Sequence, residues 1–244
     1  MSTSPRRRAV VTGAGRGIGA GIATELADAG LDVVAIDRDA SSLETAWADD
    51  PRVHPFVLDL SDPTDLAEGW ERLVELHGPV DVLVNNAAVT HLKSLWEITV
   101  DEWDEVVAVN QRAVFLLSRL AGRAMADRGW GRIVNISSLA GQAARPSGAH
   151  YAATKAAGLA LTRVFAAELA GAGVTVNAVA PGTIESAMTA ALSAARLDQL
   201  RDQIPVGRLG QATDIAAAVV FLVSEGASFV TGATIDANGG VLMR

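Results

Sequence analysis

The sequence predicts an α/β fold in which a doubly wound parallel sheet carries helices on both faces. Short runs rich in β-branched residues alternate along the chain with longer segments of helical pattern. The runs are apolar almost throughout, as expected of strands that are buried on both faces of a parallel sheet. Such a sheet binds its ligands beyond the carboxyl ends of its strands, so the residues that follow the strands are the first candidates for function.

The predicted elements follow one another without a break between domains. The strands, in chain order, are AVVTG, DVVAID, VHPFVLDL, VDVLVNN, GRIVNISS, GVTVNAVAPG and GATIDANGG. The helices span about 17–29, 40–48, 63–77, 101–128, 150–170 and 211–224. No Pro/Gly/Ser-rich linker, charge block or internal repeat divides the chain. Residues 1–244 are therefore expected to form a single domain, with 1–6 as a flexible tail.

The composition excludes several classes of protein. The chain has 244 residues, of which 50% are hydrophobic and 20% charged, so it can bury a sizeable core. It has no cysteine and its four histidines are scattered, which excludes disulfides and Cys-ligated metal centres and predicts no metal site. A net charge of −8 argues against a nucleic-acid surface. With no secretory signal and no apolar run long enough to span a bilayer, a cytoplasmic enzyme or binding protein without a membrane partner is expected.

The first predicted strand leads into a glycine-rich turn, TGAGRGIG at 12–19, which opens the first helix. Glycines in such a turn allow the close approach of a pyrophosphate, whose charge is met by backbone N–H groups at the helix N-terminus. The spacing is T-G-x-x-x-G-x-G and not the usual G-x-G-x-x-G, because position 18 is Ile18. Asp37 ends the second strand 20 residues after Gly17, where a carboxylate can accept hydrogen bonds from the ribose of NAD. A helix cap is the alternative role for this aspartate.

Tyr151 is the only tyrosine of the chain, and Lys155 is one of two lysines, the other being Lys93. Residues four apart on a helix share a face, so Tyr151 and Lys155 are predicted to point into the same space. A phenol with a pKa of about 10 is a poor base at neutral pH. A nearby ammonium stabilises the phenolate and lowers that pKa, which makes a tyrosine usable as an acid–base group.

These motifs make the sequence resemble the short-chain dehydrogenase/reductase family over essentially its whole length. The motifs that carry the resemblance are, in order, TGAGRGIG, Asp37, Asp59-Leu60, NNAA at 85–88, Asn110, Ser138, YAATK at 151–155 and PGTIES at 181–186. The resemblance implies a Rossmann-type sheet of about seven strands, a nicotinamide dinucleotide as cofactor, and reversible hydride transfer between an alcohol and a carbonyl. Two positions depart from the family pattern: Ala88 stands where many relatives have Gly, and Ser186 where Thr is common.

The resemblance also implies four catalytic residues. Tyr151 would exchange a proton with the substrate oxygen, and Lys155 would both depress the pKa of that tyrosine and hydrogen-bond the nicotinamide ribose. Ser138 would hold the substrate oxygen, with its neighbour Ser137 as the alternative. Asn110, within the predicted helix 101–128, would hold a water that relays protons to Lys155.

The cofactor implied is NAD, and an apolar pocket is implied for the substrate. The cofactor-binding residues would be Gly13, Arg16, Gly17, Ile18, Gly19, Asp37, Arg38, Asp59, Leu60, Asn86, Ala87, Tyr151, Lys155, Pro181, Gly182, Ile184 and Ser186. The substrate pocket would be bordered by Thr90, Leu95, Trp96, Leu139, Gln142, Ala143, Ala144, His150, Met188 and Leu192. This mostly apolar lining suits an uncharged ketone or secondary alcohol, although Arg145 could bind a carboxylate. Asp37 disfavours NADP, whereas Arg16 and Arg38 could partly neutralise its phosphate.

Two alternatives to this activity stay open. One is a reductase of 3-oxoacyl thioesters of acyl carrier protein or coenzyme A, for which Arg128 and Arg132 are candidate contacts, although ELAGAGVTV at 168–176 has no basic residue where relatives often carry Arg. The other is a non-catalytic dinucleotide sensor, which would need no Tyr/Lys pair. The helix at 152–169 is apolar on nearly every side, and with the resemblance this predicts a homotetramer built partly on the 101–128 and 150–170 helices.

Overall fold

In a computed structural model the chain forms a seven-stranded parallel sheet covered by helices on both faces, which confirms the predicted fold class. The structure describes residues 6–143, 146–190 and 193–243, and of 187 and 188 the backbone only. The strands are β1 (Arg8–Thr12), β2 (Asp32–Asp37), β3 (Val53–Val57), β4 (Val82–Asn85), β5 (Gly131–Ile136), β6 (Val174–Pro181) and β7 (Thr234–Ala237). Their order in the sheet is β3-β2-β1-β4-β5-β6-β7, with every neighbouring pair parallel.

The helices agree with the predicted positions except in two places. They are α1 (Gly17–Asp28), α2 (Ala40–Trp47), α3 (Pro63–His77), α4 (Val100–Val107), α5 (Ala113–Arg128), α6 (Ala149–Leu169), α7 (Ala187–Ala190), α8 (Ala194–Asp202) and α9 (Ala212–Val223). The predicted helix 101–128 is wrong as one regular helix, because a π-helical segment at Ala108–Arg112 separates α4 from α5. The sequence analysis missed α7 and α8; α8 buries none of its residues, so no apolar periodicity marks it. No helix within the described ranges is long and apolar enough to cross a membrane.

Capping side chains define where three of these helices begin. Asp39 accepts hydrogen bonds from the backbone N–H groups at the start of α2, and Asp62 does the same for α3, whose first residue is Pro63. Thr99 and Glu102 form a reciprocal capping box at the start of α4. Each cap satisfies N–H groups that have no acceptor within the helix, which typically stabilises the helix by about 1 kcal/mol.

The core consists of two apolar layers, one on each face of the sheet. One layer packs α1 and α9 against the sheet, with Ile22 and Leu222 fully buried. The other packs α3 and α5 against the opposite face, with Leu83 and Met125 fully buried. Burying each such side chain contributes about 1.5–3 kcal/mol. The two layers hold the sheet rigid, and its carboxyl edge therefore offers fixed positions to the residues that follow the strands.

The direction of strand order reverses at β1, which lies between β2 and β4. The connections that leave β1 and β4 therefore diverge to opposite sides of the sheet and open a crevice at its carboxyl edge, where open α/β sheets bind their ligands. The glycine-rich turn follows β1, Asp37 ends β2, and the NNAA segment follows β4. The topology thus brings together three motifs that are far apart in the sequence.

Candidate active site

Tyr151 and Lys155 lie one turn apart on α6, on the same side of the helix as predicted. The amine Nζ of Lys155 is 5.6 Å from the centroid of the Tyr151 ring. Lys155 is only 5% exposed, and its Nζ donates a hydrogen bond of 2.7 Å to the carbonyl oxygen of Ile136 at the end of β5. Burial lowers the pKa of Lys155 to about 8, because desolvation disfavours the charged amine. The amine is still mostly protonated at neutral pH and is held beside the phenol.

The two adjacent serines after β5 have different surroundings. Ser137 is buried, and its hydroxyl donates a 2.9 Å hydrogen bond to the backbone carbonyl of Lys155. Ser138 is partly exposed, and its Oγ accepts a 3.1 Å hydrogen bond from Ala140 N, at the start of a short 3₁₀ turn. That turn packs tightly on α6, since a Cβ on Gly141 would lie 2.7 Å from the carbonyl carbon of Lys155. Ser138, unlike Ser137, is therefore partly accessible to solvent, so its predicted contact with the substrate stays a prediction.

Asn110 lies in the π-helical segment, where a regular helix was expected. Its side-chain oxygen accepts a 2.8 Å hydrogen bond from Val89 N, and its Nδ2 donates to Val89 O at 2.9 Å and to Thr154 Oγ1 at 3.3 Å. The buried amide thus ties the segment after β4 to α6. π-Helical turns are rare and often occur at functional sites. The water relay through Asn110 stays a prediction, since its side chain is engaged mainly with Val89.

The glycine-rich turn is packed directly against the segment after β4. A Cβ on Gly13 would lie 2.8 Å from Ala87 Cα, and one on Gly19 would lie 2.1 Å from Gly13 O, so neither position accepts a side chain. Asn86 donates from Nδ2 to Thr12 O at 2.8 Å and to Gly13 O at 3.1 Å. In addition, the hydroxyl oxygen of Thr12 accepts hydrogen bonds from the backbone N–H groups of Asn86 and Ala87, both at 3.0 Å. Thr12, which the sequence analysis did not select, therefore holds the two turns together.

The turn continues into α1, which begins at Gly17. The first N–H groups of a helix, here those of Gly17, Ile18 and Gly19, have no acceptor within the helix and carry its positive dipole end. A pyrophosphate fits such a position in both charge and size. The residues present at 12–19 therefore fit the dinucleotide that the motif predicts.

A cavity of about 260 Å³ lies beside this turn at the carboxyl ends of β1, β2 and β4. The predicted cofactor-binding residues that line it are Gly13, Arg16, Asp37, Arg38, Asp59, Leu60, Asn86 and Ala87. Its apolar walls include Ile36, Leu58, Val89 and Val109, which the sequence analysis missed because nothing but burial marks them. The cavity therefore combines apolar walls with polar groups at its edge, as expected of an adenosine site.

The Asp37 carboxylate is fixed by two backbone N–H groups. Its Oδ2 accepts a hydrogen bond from Gly15 N at 3.1 Å, and its Oδ1 accepts one from Asp39 N at 3.2 Å. Asp37 caps no helix, since the cap of α2 is Asp39. Arg16 and Arg38 line the same cavity and are exposed. The carboxylate thus has a fixed position, with two positively charged side chains at the rim.

The PGTIES segment after β6 lies apart from this cavity. Gly182 and Ile184 line a second cavity of about 270 Å³, and Pro181 ends β6. Gly182 N donates to Ala237 O at 3.1 Å, and Ser186 Oγ accepts from Thr189 N at 3.3 Å at the start of α7. The predicted cofactor-binding residues that line these cavities are thus divided between two cavities that share no lining residue.

The described members of the predicted substrate lining differ in their exposure to solvent. Leu95 and Trp96 are exposed on the segment between β4 and α4, as is Thr90. The side chains of Leu139 and His150 are buried, and their place in the substrate lining stays a prediction. His150 is 0% exposed, because its ring packs against His91 with centroids 5.8 Å apart and its Nδ1 accepts from Tyr151 N at 2.8 Å.

Gln142 and Ala143 are partly exposed, and Gln142 Nε2 donates to Asp236 Oδ1 at 2.7 Å, so this side chain is anchored to β7. Ala144, Arg145 and Leu192 lie outside the described residues, and so does the side chain of Met188. The shape of the substrate pocket is therefore the part of the site for which the sequence was least informative.

Comparison with known proteins gives concordant results along the whole chain. A family model described as enoyl-(acyl carrier protein) reductase matches residues 13–242. The chain is 41% identical over 235 residues to an acetoacetyl-CoA reductase of Rhizobium meliloti, with 96% of this chain and 98% of the relative covered. It is 42% identical over 239 residues to a 3-oxoacyl-(acyl-carrier-protein) reductase of Pseudomonas aeruginosa, with 96% and 97% covered.

Among solved structures, the fold matches that of a protein of Agrobacterium tumefaciens assigned as a gluconate dehydrogenase. The TM-score is 0.91 at 32% sequence identity, and the alignment covers 98% of this chain and 96% of the other. The family match, the identities and the shared fold extend over nearly the whole length of the chain, and they agree with the motifs at the carboxyl edge of the sheet. The chain therefore belongs to the short-chain dehydrogenase/reductase family of NAD(P)-binding oxidoreductases.

Proposed function

We propose that the protein is an NAD(H)-dependent oxidoreductase that interconverts a secondary alcohol and a ketone. The observation that carries this proposal is the buried Lys155, whose amine is held 5.6 Å from the Tyr151 ring centroid. A charged amine is expensive to bury, and its place beside the only tyrosine is explained by an acid–base role. The retained Tyr/Lys pair argues against a sensor without catalytic activity. The bound nicotinamide would supply or accept the hydride.

In this proposal the residues of α6 and of the segment after β5 manage the proton. Tyr151 donates its phenolic proton to the carbonyl oxygen during reduction and takes the proton back from the alcohol during oxidation. The Lys155 ammonium stabilises the phenolate formed in the first case and contacts the nicotinamide ribose. Ser138 donates a hydrogen bond to the same substrate oxygen, which stabilises the charge that develops on it. Asn110 holds the water through which the proton is replaced.

Tyr151→Phe removes only the phenolic oxygen. We expect kcat to fall by about 10²–10⁴-fold, the usual contribution of general acid–base catalysis, with the dissociation constant of NADH changed less than about twofold. Lys155→Ala should reduce both kcat and cofactor affinity, because Lys155 has two roles. Steady-state rates and calorimetric titration with NADH measure these effects. A Tyr151→Phe variant that keeps more than about a tenth of the wild-type rate would contradict the mechanism.

The two serines supply an internal control for this experiment. Ser138→Ala should lower kcat by about 10-fold or more, because it removes a donor to the substrate oxygen. Ser137→Ala removes the hydrogen bond to Lys155 O. It should therefore cost about 1 kcal/mol of stability but should leave kcat nearly unchanged. Equal losses of kcat in the two variants would argue against the assignment to Ser138.

Asp37 is the basis for proposing NAD(H) and not NADP(H). Its fixed carboxylate would accept hydrogen bonds from the ribose hydroxyls of NAD, whereas the 2′-phosphate of NADP would face it at short range. Two unit charges 4 Å apart repel by about 4 kcal/mol at an effective dielectric of 20. A third of that corresponds to roughly tenfold in affinity. Arg16 and Arg38 can orient into solvent when NAD binds, so they do not offset the repulsion unless they move to the phosphate.

The measurement is kcat/KM for NADH and NADPH with one substrate. We expect a preference for NADH of about tenfold or more. Asp37→Ala should reduce this preference, because the variant should bind NADH more weakly and should accept NADPH. Asp59→Ala is the matched control, because Asp59 lines the same cavity but binds Ser61 N at 2.8 Å, and it should affect both cofactors alike. A wild-type preference for NADPH would refute the proposed cofactor.

Two substrate classes remain to be distinguished. The exposed apolar side chains of Leu95 and Trp96 support a neutral ketone, whereas the names of the two relatives favour a 3-oxoacyl thioester. The arginines considered for the thioester are engaged elsewhere. Arg128 donates to Val80 O at 2.5 Å, and Arg132 is buried at the start of β5, at the opposite end of that strand from Ser138.

We therefore expect neutral aryl, alkyl or cyclic ketones to have a higher kcat/KM than 3-oxoacyl thioesters of acyl carrier protein. Initial rates with purified protein and both substrate classes, with coenzyme A thioesters as a third arm, give the comparison. If the carrier-protein thioesters are preferred, the 3-oxoacyl thioester replaces the neutral ketone as the proposed substrate. The proposed acid–base residues stay the same.

The exposed face of α5 and α6 supports a homotetramer. Phe115 and Val164 are exposed there, and the Phe115 and Phe165 rings are 6.1 Å apart across the two helices. We expect light scattering to show a tetramer, and Val164→Glu to shift it to smaller species by placing a charge in the contact. Leu76→Glu on α3 is the control, since Leu76 is also exposed but lies on a different helix. A wild-type protein that is a stable, active monomer at micromolar concentration would disprove the assembly.

A further inference from the structure

Trp47, the last residue of α2, is hydrogen-bonded to the backbone of the glycine-rich turn. Its indole Nε1 donates a 3.0 Å hydrogen bond to the backbone carbonyl oxygen of Ala14. Both partners are buried: Trp47 is 6% exposed and Ala14 is 0% exposed. The indole therefore satisfies a carbonyl of the turn that solvent does not reach.

The same segment of the turn is held from its other side by β2. Ala14 N donates to Ile36 O at 2.9 Å, and Gly15 N donates to Asp37 Oδ2 at 3.1 Å. α2 also lies close to Gly15, because a Cβ there would be 2.2 Å from Ser42 Oγ. Residues 14 and 15 are thus clamped between β2 and α2. On the α2 side, the Trp47 indole contributes a buried hydrogen bond to Ala14 O.

We propose that Trp47 is a positioning residue for the dinucleotide, which keeps the glycine-rich turn in the conformation that receives the pyrophosphate. Without the indole donor the carbonyl of Ala14 would be buried with no partner in this structure, which is unfavourable, and the turn would shift to reach water. Binding of the cofactor would then have to restore the original conformation. The apparent affinity for the cofactor would fall in proportion to the fraction of molecules in which the turn keeps that conformation. The inference rests on dinucleotide binding and does not depend on which cofactor is preferred or which substrate is used.

A purely structural role for Trp47 is the competing explanation, and Trp70 allows the two to be separated. Trp70 is also 6% exposed and lies on α3, in the core layer on the other face of the sheet. Trp47→Phe and Trp70→Phe make the same chemical change at equal burial. Both variants should have a lower melting temperature than wild type, but only Trp47→Phe should bind the dinucleotide more weakly.

The experiment is calorimetric titration of wild type and both variants with NADH, NADPH and ADP-ribose. For Trp47→Phe we expect the dissociation constant of each of the three ligands to rise by about five- to tenfold, which is the effect of losing one buried hydrogen bond. ADP-ribose contains the pyrophosphate but no nicotinamide, so it separates this effect from the catalytic end of the site. The KM for the cofactor should rise by the same factor, whereas kcat at saturating cofactor should stay within about twofold.

If wild type shows no preference for NADH, the proposed cofactor is refuted. The expected rise of all three dissociation constants in Trp47→Phe would be unaffected, because the substitution acts equally on the three ligands. The positioning role is overturned if Trp47→Phe changes no dissociation constant by more than about twofold, or if Trp70→Phe raises them equally. A second measurement needs no variant: in wild type, NADH should slow solvent exchange of the Trp47 indole proton, because fixing the turn fixes its acceptor. An unchanged exchange rate would also count against the role.

Discussion

The close contact between the turn after β1 and the turn after β4 is the constraint on which the rest of the site depends. A Cβ on Gly13 would lie 2.8 Å from Ala87 Cα, and Asn86 donates two hydrogen bonds to Thr12, from its backbone N–H and from Nδ2. The contact occurs where the strand order reverses, so it is made by segments that then diverge to opposite faces of the sheet. A side chain at Gly13 would separate the turns. The cavity of about 260 Å³ that both turns line would lose its shape with them.

A second set of buried polar groups fixes α6 relative to the sheet. Asn85 Nδ2 donates to Asn135 Oδ1 at 2.8 Å across the β4–β5 pair and to Ser118 Oγ on α5 at 3.0 Å. Asn135 in turn donates to Thr162 Oγ1 on α6 at 2.9 Å. Buried hydrogen bonds add modestly to stability, but each would be costly to break, so the register of α5 and α6 on the sheet is specified closely. The helix that carries Tyr151 and Lys155 is therefore positioned by buried polar groups near the carboxyl ends of β4 and β5 and on α5.

The binding and catalytic halves of the molecule are supported in different ways. The dinucleotide half is held by backbone groups of the turns and by the ends of β2 and α2, which leaves little freedom for substitution. The proposed substrate half consists of segments whose side chains are exposed, such as those of Leu95 and Trp96, or are anchored individually, such as that of Gln142. This difference accounts for a family in which one cofactor chemistry is shared by relatives that are named for different substrates.

The sequence by itself determined the seven strands, most of the helices and the motifs that follow the strands. Apolar runs and helical periodicity are local patterns, so the seven strands and most helices could be predicted, and the four-residue spacing of Tyr151 and Lys155 placed both on one face of α6. The tertiary structure decided what depends on residues distant in the chain. The π-helical segment around Asn110, the burial of His150 and the hydrogen bond from Trp47 to Ala14 had no local signal. Each follows from packing between elements that come together only when the sheet forms, and periodicity along one segment carries no information about its partners.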